Sequence, residues 1–193
     1  LSTVEPGGTV IVNSDAFDER NLAKAGYESN PIEDGSLDGY AMISSPMTSL
    51  TKEVCKDIGV KPRDAERSKN FFALGLVSWL YSRPEEPTML WIEEKFGAKE
   101  LVVAANKAAY KAGHAFGETA ELSASRLTVR PARLKPGTYT NINGNTALSW
   151  GLVAGSQLAG LPIFLGSYPI TPASDILHEL AKHKNFGVRT FQA

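Results

Sequence analysis

Gly166-Ser-Tyr-Pro-Ile-Thr-Pro-Ala-Ser-Asp175 is the stretch on which the reading of this chain turns. The run Pro162 to Leu165 predicts a strand that stops at Leu165-Gly166. Pro169 and Pro172 then hold φ near -65° and stiffen the turn. Thr171 stands where a helix N-cap belongs, with Pro172 at the first helical position, and a helix is expected over 171–182. Its free N–H groups and positive dipole end would face out from the carboxyl edge of a sheet, where open α/β folds bind ligands and where an anion is favoured. Spacing alone leaves a second reading open, in which Thr171 only caps its helix.

Outward from the turn, the pattern continues on both sides. Asn145 to Ala159 predicts a helix apolar on most faces, one that would sit inside an α/β layer. Gly144-Asn145 opens it, either as a tight turn with a plain cap or as an amide presented toward a cofactor. After the turn, Ile176, Leu177 and Leu180 point inward, and Val188 to Phe191 predicts another strand. Helix, strand, helix, strand is the order of a parallel α/β sheet. Residues 141–193 therefore read as the beginning of one domain.

The preceding residues have a different character. Thr9 to Asn13 and Tyr40 to Ser44 predict strands, with a polar loop and one short helix between them. Leu50, Val54 and Ile58 predict a helix capped by Thr48 or Ser49 and closed by Gly59. A buried helix follows from Ser68, ended by Pro84 and Pro87, and another is capped by Thr88. A fourth runs from Ala98 to Phe116, with Leu101, Ala105, Ala108, Ala112 and Ala115 on one face and Gly113 and Gly117 weakening its end. From 119 to 140 periodicity fades, and Arg126, Arg130, Arg133 and Lys135 add charge. That span reads as a linker. Its cations are either solvated or in contact with a phosphate-bearing cofactor or a partner chain.

Composition excludes several functions. The 193 residues carry 20 Lys+Arg against 21 Asp+Glu, a balance that attracts neither nucleic acid nor an anionic membrane surface. The apolar run Leu158 to Ile170 is too short and too interrupted to span a bilayer. One cysteine, Cys55, can neither form an internal disulfide nor hold an iron–sulfur cluster, and it suits a reduced, cytoplasmic setting. It reads as a buried structural thiol rather than a nucleophile. His178 and His183 lack metal-ligand spacing, and there is no Walker loop, GxGxxG or GxSxG. No metal site is expected. Both ends read as cut: Leu1 is not an initiator Met, and the chain stops just after a strand.

The stretch Asn143-Gly-Asn-Thr-Ala-Leu-Ser-Trp-Gly-Leu-Val-Ala-Gly155, followed by Ala159-Gly-Leu-Pro-Ile-Phe-Leu-Gly-Ser-Tyr-Pro-Ile-Thr-Pro-Ala-Ser-Asp175, resembles the start of the pyrimidine-binding domain of 2-oxoacid:ferredoxin oxidoreductases. Ile176-Leu-His-Glu-Leu-Ala-Lys-His-Lys-Asn-Phe-Gly187 looks like alpha subunits of the 2-oxoglutarate branch. Val10-Ile-Val-Asn13 and Asn70-Phe-Phe-Ala-Leu-Gly75 resemble, more loosely, the second half of the family's Rossmann-like gamma domain, over residues 1–118. A gamma part placed first resembles the fused alpha subunits of two-subunit enzymes.

The resemblance implies oxidative decarboxylation of a 2-oxoacid with coenzyme A and reduction of ferredoxin, with 2-oxoglutarate giving succinyl-CoA. It implies thiamine diphosphate with magnesium, shared with a beta subunit that carries a 4Fe-4S cluster, in an (alpha-beta)2 heterotetramer. It implies Thr171 as the catalytic contact to the 2-oxoacid, with Tyr168, Pro169, Ile170, Pro172 and Ser174 completing the substrate face and Gly144 and Asn145 on the cofactor. The family glutamate that activates the aminopyrimidine is expected soon after Gln192. The alternatives are pyruvate or another 2-oxoacid as substrate, or a non-catalytic carboxylate-binding or assembly module.

Overall fold

The computed structural model describes residues 3–120, 122 and 126–193. It divides into two compact units, Leu1–Ala132 and Arg133–Ala193. The expected linker, 119–140, falls partly on residues 121 and 123–125, which lie outside the described residues.

The first unit opens with parallel strands β1 (Thr9–Asn13) and β2 (Ala41–Ser45), registered Thr9 to Ala41 through Asn13 to Ser45. Between them lies the short helix α1 (Glu19–Ala25). Asp18 caps it by accepting from the Asn21 N–H at 2.7 Å, and Gly26 closes it at φ 76°. Helices α2 (Met47–Lys56), α3 (Pro62–Ala65), α4 (Lys69–Leu80), α5 (Glu86–Phe96) and α6 (Glu100–Thr119) follow. The core joins Ile43 of β2, Met47 of α2, Phe72, Leu76, Trp79 and Leu80 of α4, and Ala109 of α6.

α4 and α6 meet through glycines. A Cβ on Gly113 would lie 1.9 Å from the Phe72 carbonyl oxygen, and one on Gly75 would lie 2.0 Å from that of Tyr110. This seam decides which face of α6 is inside. Ala105, Asn106, Ala109, Tyr110, Gly113 and Gly117 are buried, whereas Leu101 and Ala115 are exposed. The inner face is rotated from the expected one because glycines, rather than alanines alone, admit the backbone of α4. Gly113 and Gly117 do not end the helix; they let its partner approach.

Several expected caps are corrected. α2 begins at Met47, and its free N–H at Ser49 is satisfied from afar by the Asp15 carboxylate at 2.7 Å, not by Thr48 or Ser49. α4 does follow from Ser68: a short 3-10 turn over Glu66–Ser68 runs straight into it, and the Ser68 hydroxyl makes no cap bond but donates to Asn106 Oδ1. α5 starts at Glu86, so Pro87 lies in its first turn, where proline is tolerated, and Thr88 lies inside the helix. In the expected linker, Leu127 N–H donates to the Leu80 carbonyl at 2.7 Å and Arg126 lies 5.5 Å above the Trp79 ring. Leu127 is thus tied to the end of α4, and Arg126 has a cation–π partner there.

The second unit is α7 (Gly144–Ala159), β3 (Ile163–Ser167), α8 (Ser174–Leu180) and β4 (Val188–Gln192). β3 and β4 run parallel, Ile163 opposite Val188 and Ser167 opposite Gln192, as the element order predicts. Val153, Leu180 and Val188 form its core with Ile163, Leu165 and Ile176 against them. Two expectations fail here. α7 buries only Ser149, Val153 and Ser156 and leaves Leu148, Trp150, Leu152 and the 90% exposed Leu158 outside, so within this unit it is covered on one stripe only. α8 is seven residues long rather than running from Thr171 to Lys182.

Candidate functional site

The site is built where β3 ends. Ser167 is the last strand residue, and Ala193 N–H donates to its carbonyl at 3.0 Å. The strand pair therefore delivers two chain segments to one edge: the turn that follows Ser167 and whatever follows Gln192. Tyr168, Pro169, Ile170, Thr171 and Pro172 leave that edge exposed, Tyr168 at 71% and Ile170 at 61%.

The turn is held by backbone groups. Ile170 N–H donates to the Tyr168 carbonyl at 2.9 Å. Ser174 N–H donates to the Ile170 carbonyl at 2.9 Å, and the Ser174 hydroxyl donates to the same oxygen at 3.2 Å. The Thr171–Pro172 peptide is cis, and the helix begins two residues later at Ser174. Thr171 is thus not the N-cap of α8, and Pro172 is not its first residue. The position before Ser174 is Ala173, in helical conformation and without a side-chain cap. With its capping role removed, the Thr171 hydroxyl is exposed and has no hydrogen-bond partner among the described residues.

Asn145 is the second part of the site. Asn143, not Asn145, caps α7: its side chain accepts from the Thr146 N–H at 2.9 Å. This frees Asn145, whose Nδ2 donates to the Pro172 carbonyl at 3.0 Å. The structure therefore joins the two groups that the sequence singled out separately, Gly144-Asn145 and the turn 168–174. Gly144 starts α7 with open space where a Cβ would point. Ser174 sits at the back of the turn, partly buried, and acts on its backbone.

Behind the turn, α7 and α8 are braced by polar contacts that the sequence did not reveal. Trp150 Nε1–H donates to Glu179 at 3.0 Å, Lys182 pairs with the same carboxylate at 2.6 Å, and Gln157 Nε2 donates to the Phe186 carbonyl at 3.0 Å. The Lys182 and Trp150 donors pull the Glu179 carboxyl down from 4.5 to about 2. Among the described residues no group of three or more His, Cys, Asp or Glu could hold a metal ion. Nor is any described helix long and apolar enough to cross a membrane.

Residues 1–116 match the family model for pyruvate ferredoxin/flavodoxin oxidoreductase. The chain belongs to that family. It is 54% identical over 187 residues to the 2-oxoglutarate oxidoreductase subunit KorA of Mycobacterium tuberculosis, which covers 97% of this chain and 29% of the relative. It is 28% identical over 134 residues to subunit alpha of 2-oxoacid:ferredoxin oxidoreductase 1 of Aeropyrum pernix, covering 69% of this chain and 20% of the relative. Its structure is similar to that of a 2-oxoglutarate:ferredoxin oxidoreductase from Magnetococcus marinus solved with 2-oxoglutarate, coenzyme A and succinyl-CoA bound. The TM-score is 0.68 at 27% identity, over 100% of this chain and 29% of that one. The chain thus spans less than a third of the length of the relatives it matches. The α/β reading agrees with this likeness, and among the described residues each unit carries a two-stranded parallel sheet.

Proposed function

We propose that this chain is part of the alpha subunit of a 2-oxoglutarate:ferredoxin oxidoreductase. The overall reaction joins 2-oxoglutarate and coenzyme A to give succinyl-CoA and CO2, and two electrons pass to ferredoxin. The observation that carries this reading is the 54% identity, over 97% of the chain, to a 2-oxoglutarate oxidoreductase subunit.

The site's chemistry suits the role. Thr171 presents a free hydroxyl at the carboxyl edge of β3, able to donate to the carboxylate of a 2-oxoacid. Tyr168 and Ile170 supply exposed apolar surface beside it. Asn145 uses its Nδ2 on Pro172, which leaves Oδ1 to accept a hydrogen bond. An apolar wall with one amide acceptor fits the aminopyrimidine ring of thiamine diphosphate. We assign its magnesium-bound diphosphate half, with the 4Fe-4S cluster, to a beta subunit. Thiamine diphosphate, when bound, supplies the carbanion chemistry of decarboxylation. This chain's residues orient the 2-oxoacid and hold the ring edge. The acid that activates the ring is assigned to the segment after Gln192, which leaves from the same edge as the turn. The assembly is an (alpha-beta)2 heterotetramer of the cytoplasm.

The test is reduction of ferredoxin or a low-potential dye by the full-length protein with its beta subunit. Reduction should require both 2-oxoglutarate and coenzyme A. Absence of turnover with 2-oxoglutarate, pyruvate and other 2-oxoacids alike would sink the proposal.

A further inference from the structure

Two helices hold the residues that flank Thr171. Ser174, the first residue of α8, fixes the Ile170 carbonyl with its N–H at 2.9 Å and its hydroxyl at 3.2 Å. Asn145, near the start of α7, fixes the Pro172 carbonyl with its Nδ2 at 3.0 Å. Thr171 lies between those two carbonyls, so its placement follows the register of α7 against α8. Apolar packing is a weak guide to that register. In the core of this unit α7 places Val153 and α8 places Leu180, with Ile176 against them. Burial of so few side chains is non-directional and does little to fix how far one helix slides along the other.

A polar contact does fix it. The Glu179 side chain of α8 is 15% exposed, and its Oε1 accepts from Trp150 Nε1–H of α7 at 3.0 Å. Just beyond α8, Lys182 Nζ holds Oε2 at 2.6 Å and His183 Nε2 lies 3.4 Å from Oε1, so the carboxylate is tethered on its own side. A hydrogen bond to such a carboxylate is directional and stronger than one between neutral groups. Trp150 stands five residues beyond Asn145 and Glu179 five beyond Ser174. The contact therefore closes about 7.5 Å along each helix from the group that holds the turn, at the α-helical rise. We propose that the Trp150–Glu179 hydrogen bond is a latch that positions Thr171 for the 2-oxoacid. Both are positioning residues, acting through the two helices from which the turn hangs. The proposal rests on the reading of Thr171 as the substrate contact.

The test uses the full-length protein with its beta subunit. Trp150→Phe keeps a ring at the position and removes the N–H donor. It should lower kcat/KM for 2-oxoglutarate about tenfold, on the scale of a small misplacement at the reacting end. In a Thr171→Val background the same change should cost less than about twofold, because the hydroxyl it serves is gone. Glu179→Ala should match Trp150→Phe, and Glu179→Gln, whose amide oxygen still accepts, should recover most of that loss. A second readout needs no turnover. Amide hydrogen exchange over residues 168–175 should rise about tenfold in Trp150→Phe, while exchange over residues 69–80 of the first unit stays as in wild type. Wild-type kcat/KM in Trp150→Phe, equal losses in the two backgrounds, or unchanged exchange over 168–175 overturns the latch. A wild type that turns over no 2-oxoacid overturns the proposed function instead, and the exchange comparison then decides the latch alone.

Discussion

Thr171 carries a hydroxyl that the fold leaves unused. It is exposed, it does not cap α8, and it stands between Ile170, whose carbonyl is tied to Ser174, and Pro172, whose carbonyl is tied to Asn145. Its backbone is therefore fixed while its side chain remains available. Thr171→Val keeps the branched shape and removes the donor. In the full-length enzyme it should lower turnover with 2-oxoglutarate about 10- to 100-fold, the worth of one hydrogen bond to a charged group. The melting temperature should stay within about 1 °C of wild type, as expected for an exposed substitution. Activity near wild type would remove Thr171 from the site. The stretch itself was legible as a stiff turn after a strand. Its hydrogen bonding was not, because a Thr-Pro pair before a helix reads as cap and first residue, and only the long-range tie to Asn145 shows a longer turn.

At the scale of elements, two contacts carry predictions. The α4–α6 seam has no room for a side chain at Gly113, where a Cβ would meet backbone rather than a flexible side chain. Gly113→Ala should cost about 2–3 kcal/mol through forced separation of the helices, despite alanine's better helix propensity. Thermal unfolding should then begin about 5–10 °C lower. An unchanged or raised melting temperature would show that the helices are less closely packed. The second contact is the Glu179 brace between α7 and α8. Its folded pKa of about 2 lies below the ordinary 4.5. Its contribution is therefore complete above about pH 4.5 and is lost as pH falls toward 2. Wild type should lose melting temperature over that window more steeply than Glu179→Gln. Parallel pH profiles would rule the brace out. Element identities were largely readable, from β1 through β4, because strand and helix periodicities are local. Cap positions and the inner face of α6 were not, since Asp15 reaches α2 from 34 residues away and the glycine seam depends on what α4 presents.

At the scale of the chain, the described residues form two compact units, each with its own core. Cys55 lies fully buried in the first, packed with Ala65 and Ala105, its Sγ 3.9 Å from the Ala105 carbonyl. Burial pushes the thiol's pKa up. A thiol reagent at neutral pH should therefore leave native protein unlabelled and modify Cys55 only as the first unit unfolds, so labelling and loss of helical signal should share one transition. Rapid labelling of the folded protein would contradict the packing. The sequence by itself determined the α/β class, the parallel order of the second unit, the family and the turn at Tyr168 to Asp175. Each depends on local pattern or on a motif read along the chain. Tertiary structure alone decided that Thr171 is free rather than a cap, that Asn145 is tied to the turn beside it, and that the Ser68 hydroxyl pairs with Asn106. Hydrogen bonds across 27 and 38 residues make those assignments. No periodicity encodes them, because they depend on how separate elements pack.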